Sequence, residues 1–170
     1  TKFFDYDNDG DLDIFVANGE VQDALDPVTG MSIYPQRDQL YQSNRDSTYT
    51  EVPVGEYFSR RYIGRGTAFG DYDNDGDIDL LVTNCNQGVI LLRNDGGNAN
   101  NWLAIKLTGT KSNRDDIGAR ILLTLENETR LGEVQSAASY LSANDPRVHI
   151  GLGEMTRVND VVVRWSDGMR

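Results

Sequence analysis

Sulfur and imidazole are nearly missing from this sequence: among 170 residues there is one cysteine, Cys85, and one histidine, His149. A lone thiol excludes an intrachain disulfide framework, and with a lone imidazole it cannot furnish the ligand set of a zinc site. Nor does any apolar run approach the roughly 18 residues that a membrane-spanning helix needs, so no membrane span is expected. Basic charge is also short. Sixteen Lys and Arg stand against 27 Asp and Glu, a formal net charge of −11, and such a chain is repelled by a phosphate backbone rather than drawn to it, so nucleic acid is excluded as a partner. Proline is sparse at 4 residues while glycine reaches 17, with 38% hydrophobic residues. This describes a turn-rich globular chain able to bury about two thirds of its unfolded surface.

The acid that is present is concentrated. "DYDNDGDLD" at residues 5–13 and "DYDNDGDID" at 71–79 hold ten of the 27 acidic residues. Laid over each other at an offset of 66, residues 3–18 and 69–84 agree at 11 of 16 positions, an internal repeat. Each acidic stretch runs into a short apolar segment, Ile14 to Val16 and Leu80 to Val82, too short for a helix and suited to a buried strand. "GVILLRNDGG" predicts a further strand after the second copy, and "DQLYQSNRDSTYTEV" is its longer counterpart after the first. The first copy carries an insertion from Glu20 to Arg37, marked by Pro27, Gly30 and Pro35 as an irregular surface loop.

Five like charges in nine positions need a counter-ion. A segment of the type D-x-D-x-D-G-x-x-D places carboxylates at positions 1, 3 and 5 on one side of a tight loop, with glycine at 6 permitting the reversal and position 9 closing the cage. In the first copy these are Asp5, Asp7, Asp9 and Asp13, with Asp11 at position 7 offering its backbone carbonyl; in the second they are Asp71, Asp73, Asp75, Asp79 and Asp77. Hard oxygen donors in this number suit Ca²⁺ better than Mg²⁺, which demands a strict octahedron and keeps its waters. Two Ca²⁺ sites are therefore expected. An EF-hand is excluded, because its position 12 needs a glutamate between two helices and Val16 and Val82 stand there.

After "GGNANN" at residues 96–101 the repeat stops. "WLAIKL", "ARILLTL", "RVHIGLG" and "VNDVVVRW" are short apolar or alternating runs separated by turn clusters, which reads as a second, antiparallel β unit. "EVQSAASYL" is the one stretch that passes for a helical turn or two.

At this level of detail the residues resemble known families. The two "FxDYDNDGDxD" segments are similar to the FG-GAP or VCBS repeats of integrin-type β-propellers. Residues 101–125 resemble the start of an ASPIC/UnbV domain: Asn101, Trp102, Leu103, Gly109, Ser112, Asn113, Arg114, Asp115, Ile117, Gly118, Ala119 and Arg120 match its pattern. Gly151, Leu152 and Gly153, then Trp165 and Gly168, match its later motifs, while Asp116 replaces a glycine, Ile150 an aromatic, and Ser166 with Asp167 a Pro-Ser pair. The resemblance implies an all-β chain: partial β-propeller blades with calcium loops over residues 1–98, then a small antiparallel, sandwich-like domain over 99–170. It further implies a secreted or cell-surface protein and a non-enzymatic interaction or adhesion module, whose partner would be an extracellular protein or polysaccharide. The alternative is a carbohydrate-binding or substrate-presenting region of a larger secreted enzyme. Two repeat units are few for a closed array, and only two residues precede Phe3 and Phe4 ahead of the first loop, so no strand is expected before that loop and the chain is expected to be part of a longer one.

The remaining chemical residues read as structural. His149 lies in a strand pattern with no nucleophile near it, Cys85 has no second cysteine, and "SNRDD" at 112–116 is turn material as much as ligand. Arg60, Arg61 and Arg65 form a solvated basic cluster, and Trp102 and Trp165 are expected in cores. "NET" at Asn127 is a glycosylation sequon.

Overall fold

The computed structural model describes residues 1–170 apart from 23, 24, 32, 53, 54, 127, 138 and 170, so the Asn127 sequon lies outside the described residues. Strands β1 (Lys2–Phe4), β2 (Asp13–Val16), β3 (Gln39–Ser43) and β4 (Tyr49–Glu51) form one antiparallel sheet in chain order. Strands β5 (Gly64–Gly70), β6 (Asp79–Asn84) and β7 (Ile90–Leu92) form a second in the same manner. The last five are β8 (Asn101–Ile105), β9 (Arg120–Thr124), β10 (Thr129–Glu133), β11 (Val148–Gly153) and β12 (Asp160–Arg164). Of these, β11 pairs with β8, and β9 is flanked by β10 and β12. Helix among the described residues is limited to the 3₁₀ turns Glu56–Ser59 and Gly97–Ala99. The chain is all-β, with antiparallel sheets throughout.

Three local expectations are corrected. A strand does precede the first loop: β1 pairs with β2 through Lys2 opposite Phe15 and Phe4 opposite Asp13, because three residues are enough when the partner strand is already fixed by the loop. "DQLYQSNRDSTYTEV" forms two strands, β3 and β4; its turn uses Arg45 and Ser47 at φ 61° and 68°. "EVQSAASYL" forms no helix among its described residues. Glu133 ends β10, and Ser139 bridges to Ser142 around a turn with Leu141 at φ 47°.

Two apolar cores result. Phe4, Phe15, Leu40, Phe58, Ile78, Leu80 and Val82 fill the space between the first two sheets. Ala119, Ile121, Leu123, Leu125, Val134, Val148, Ile150 and Leu152 fill the other, where β10 crosses β11 so closely that a Cβ on Gly132 would lie 2.3 Å from Val148. The repeat is not packed symmetrically. Phe15 is fully buried, yet its equivalent Leu81 is 42% exposed, while Leu80 and Val82 are buried where Ile14 and Val16 are only half-buried. The first sheet thus lays its Phe15 face on the opposite face of its own repeat copy.

Candidate metal centres

Both acidic loops fold the same way, for reasons visible in the sequence. Asn8 and Gly10, and likewise Asn74 and Gly76, take positive φ (58° and 95°, 60° and 97°), a region that asparagine tolerates and glycine enters freely. That turn aims amides at the position 1 carboxylate: Asp5 accepts from the amides of Asp9 and Gly10 at 3.1 and 2.9 Å, Asp71 from those of Asp75 and Gly76 at 3.1 and 3.2 Å. The position 9 carboxylate is held just as consistently. Asp13 accepts from Tyr6 at 3.1 Å and Ser43 at 2.8 Å, and Asp79 from Tyr72 at 3.1 Å and Asn94 at 2.9 Å.

Consequently Asp5, Asp7 and Asp13 bring one carboxylate oxygen each within 4.8 Å of one another, and Asp71, Asp73 and Asp79 do the same. Asp9 and Asp75 stand beside these groups, each accepting the amide of position 7 (2.8 Å from Asp11, 3.0 Å from Asp77). Asp11 is bound through its side chain by Arg45 at 2.7 Å, and the same arginine reaches Asp9 at 3.1 Å. The Asp77 carboxylate is wholly buried, with the Gly97 and Asn98 backbone beside it, and among the described residues neither oxygen has a well-formed hydrogen bond.

The electrostatics are those of a cation site. Burial, reinforced by repulsion from Asp9, Asp7 and Asp13, pushes the Asp5 carboxyl up to about 7; burial and the charges of Asp7 and Asp9 push Asp13 up to about 6. Asp7, Asp77 and Asp79 are raised in the same direction, by burial first and by neighbouring aspartates second. Like charges gathered, desolvated and left without enough bonds are stabilised by a divalent ion and by little else. The residues present fit calcium.

Several residues that sequence reasoning did not single out belong to these sites. Gln42 donates to Asp7 at 2.8 Å, and Arg45 covers the first loop. The C-terminal unit covers both loops. Gly151 approaches so closely that a Cβ there would lie 2.1 Å from Asp5 Oδ2 and 2.6 Å from the Asn8 backbone. The Gly153 amide donates to the Asn8 carbonyl at 2.8 Å, and Arg147 bonds Asn74 Oδ1 at 2.6 Å and the Asp71 carbonyl at 2.7 Å. Asn8 is completely buried at the junction. Its amide donates to the carbonyls of Gly76 at 2.9 Å and Gly97 at 3.1 Å, and His149 Nε2 lies 2.7 Å from its side-chain oxygen. His149 stacks on Trp102, with ring centroids 5.3 Å apart, and Trp102 rests against Gly76. Trp102 therefore sits at a seam, 36% exposed, rather than in a core. Only the glycine-flanked "HIGLG" offered a signal for this, through its small residues.

The other candidates settle as structure. Asp116 stands at φ 46° in a turn closed by Asn113, which explains the glycine usual at its place. Cys85 is a free, half-buried thiol accepting from the Tyr34 hydroxyl at 3.4 Å. Arg60 pairs with Glu56, and Arg65 bonds the carbonyls of Gly19 and Glu20.

Paired acidic loops feeding antiparallel sheets, with a second β unit set over them, are accompanied by two family matches: residues 5–82 match the family model described as FG-GAP-like repeat, and residues 109–170 the model described as ASPIC and UnbV. Over 172 aligned positions the chain is 26% identical to Cartilage acidic protein 1 of Mus musculus and 27% identical to Cartilage acidic protein 1 of Homo sapiens. These alignments cover 96% of this chain but only 25% and 24% of those proteins. The chain spans about a quarter of the length of the curated relatives it matches.

Proposed function

We propose that this chain is a calcium-binding, extracellular interaction module without catalytic activity, in which the ions are structural. The observation that carries the reading is the doubled, desolvated carboxylate group, Asp5 with Asp7 and Asp13, and Asp71 with Asp73 and Asp79. Asp9 and Asp75, with the backbone at Asp11 and Asp77, complete each donor set. When bound, the ions supply charge neutralisation. The loops can then keep the shape on which Gly151, Arg147 and Trp102 rest, so the metals brace the seam between the repeats and the C-terminal unit.

Partners, an extracellular protein or polysaccharide, then bind surfaces that this frame holds still. The insertion from Glu20 to Arg37 is the best placed, since it exposes Val21, Leu25, Val28 and Met31 on a loop carried by a rigid scaffold. The reading is tested by calorimetric titration of the metal-stripped chain with calcium. Two equivalents should bind, and Asp5→Ala and Asp71→Ala should each remove one. Absence of saturable calcium binding, or an unchanged stoichiometry in both variants, overturns it.

A further inference from the structure

A cleft of about 810 Å³ opens between the start of the first sheet and strands β10 and β11, with Asp5, Gly10 and Asp11 of the first acidic loop along one border. Its floor holds an unanswered cation. Lys2 is 5% exposed, and its ammonium stands 4.3 Å from the centroid of the Phe69 ring. Among the described residues the ammonium has no hydrogen-bond or ion-pair partner. Burial alone lowers its pKa, to about 8, with no neighbouring acid to offset the loss of solvent.

On the same residue lies a second orphan donor. Asn144 accepts from the Phe69 backbone amide at 3.2 Å through Oδ1, which leaves its buried Nδ2 with no partner. Of the other acids bordering the cleft, Asp5 belongs to the first metal cluster and is neutralised there when the ion is bound, Glu133 lies 3.8 Å from Arg120, and the rest are matched. Asp145 is bonded by Arg147 at 2.8 Å, Glu128 by Arg130 at 2.5 Å, and Asp11 by Arg45 at 2.7 Å. Buried donors left unmade cost free energy, and native structures rarely keep two lining one cleft without a ligand or water to meet them.

A carboxylate answers both, since it offers only acceptors and a full negative charge. At the mouth, Phe3 and Tyr49 present exposed rings, flat apolar surfaces of the kind on which the apolar face of a pyranose rests. The volume is that of a site for a small ligand. We propose that this cleft binds an acidic saccharide, a uronate, with its carboxylate on Lys2 and Asn144 and its ring against the aromatic mouth. The site goes beyond the calcium reading and does not use the ions as ligand contacts.

Glucuronate titrated into the calcium-loaded chain should bind saturably, with Kd on the order of 1 mM for a ligand of this size, and glucose at least about tenfold more weakly. Lys2→Met keeps the apolar stem and should weaken glucuronate about tenfold or more. Asn144→Asp keeps the acceptor for the Phe69 amide, turns the free donor into a repelling oxygen, and should weaken it likewise. Both variants should bind calcium as the parent does, which separates failure here from failure of the metal reading. The proposal is overturned if glucuronate does not saturate, or if glucose binds equally. It is overturned too if acetate binds as well as glucuronate, if both variants retain parental affinity, or if chelation abolishes glucuronate binding in a chain that stays folded.

Discussion

His149 and Asn8, 141 positions apart in sequence, meet with Nε2 of the one 2.7 Å from the side-chain oxygen of the other. Because the Asn8 amide nitrogen is spent on the carbonyls of Gly76 and Gly97, its oxygen must accept, which assigns the imidazole proton to Nε2. Burial keeps that imidazole neutral, lowering its pKa to about 4. Asn8→Ala would leave two carbonyls and one N–H unmet in a buried place. A loss of about 3 kcal/mol is expected in urea denaturation with calcium present; a loss under about 1 kcal/mol would show the junction to be wet and adaptable.

Removal of calcium should lower the melting temperature. An ion held at roughly ten times its Kd contributes about 1.4 kcal/mol per site, and two sites acting on one seam should be lost with a single transition. Identical melting curves in calcium and in chelator would refute this.

Acid should act in opposite senses on the two forms. In the metal-free chain Asp5 and Asp13 titrate near 7 and 6, above their ordinary 3.8. The folded state therefore binds more protons than the unfolded state across that window. Their contribution to stability is present below 3.8, is lost as pH rises through 6 and 7, and so grows when pH falls. In the calcium-loaded chain the same protons must displace the ion, and stability should fall instead. His149, with its lowered pKa, destabilises both forms below about 6.5, so the difference between the two urea midpoints, measured from pH 7 to pH 5, isolates the carboxylates. A difference that does not narrow on acidification would contradict the assignment.

Gly151→Ala should destabilise by about 1–3 kcal/mol through overpacking and weaken calcium at the first loop alone, since its new methyl would meet Asp5 and the Asn8 backbone. Gly88, where an added Cβ would meet nothing within 4 Å, is the control and should accept alanine within about 0.5 kcal/mol. Equal effects at both positions would argue against the seam.

The loops and the strands leaving them were legible because they depend on neighbours in sequence. Aspartate spacing, Asn and Gly at positive φ, and a β-branched run each act within about ten residues. What was hidden depends on distant packing. The burial of Phe15 against the exposure of Leu81 is decided by which face meets a neighbouring sheet, and identical motifs cannot announce that. Trp102 reads as a core residue because an aromatic at a strand position usually packs one, while its position is set by Gly76 and His149. Lys2 carried no signal as a strand residue, because β1 exists only through its pairing with β2.

The unequal packing of the two repeat copies gives their stack a direction. Had like faces met, the pair would be closed on itself and finished at two. Instead, unlike faces meet, and the unused partner of each remains: Leu81 with Leu91 on one outer side, Ile14 with Val16 on the other. Such a step is an instruction that can be reissued, because a further copy of the same gene segment finds a fitting neighbour with no new surface to be evolved. A charge placed on that side, as in Leu81→Glu, should cost little in the sheet that bears it, since Leu81 is 42% exposed, and would close that side to a neighbouring sheet.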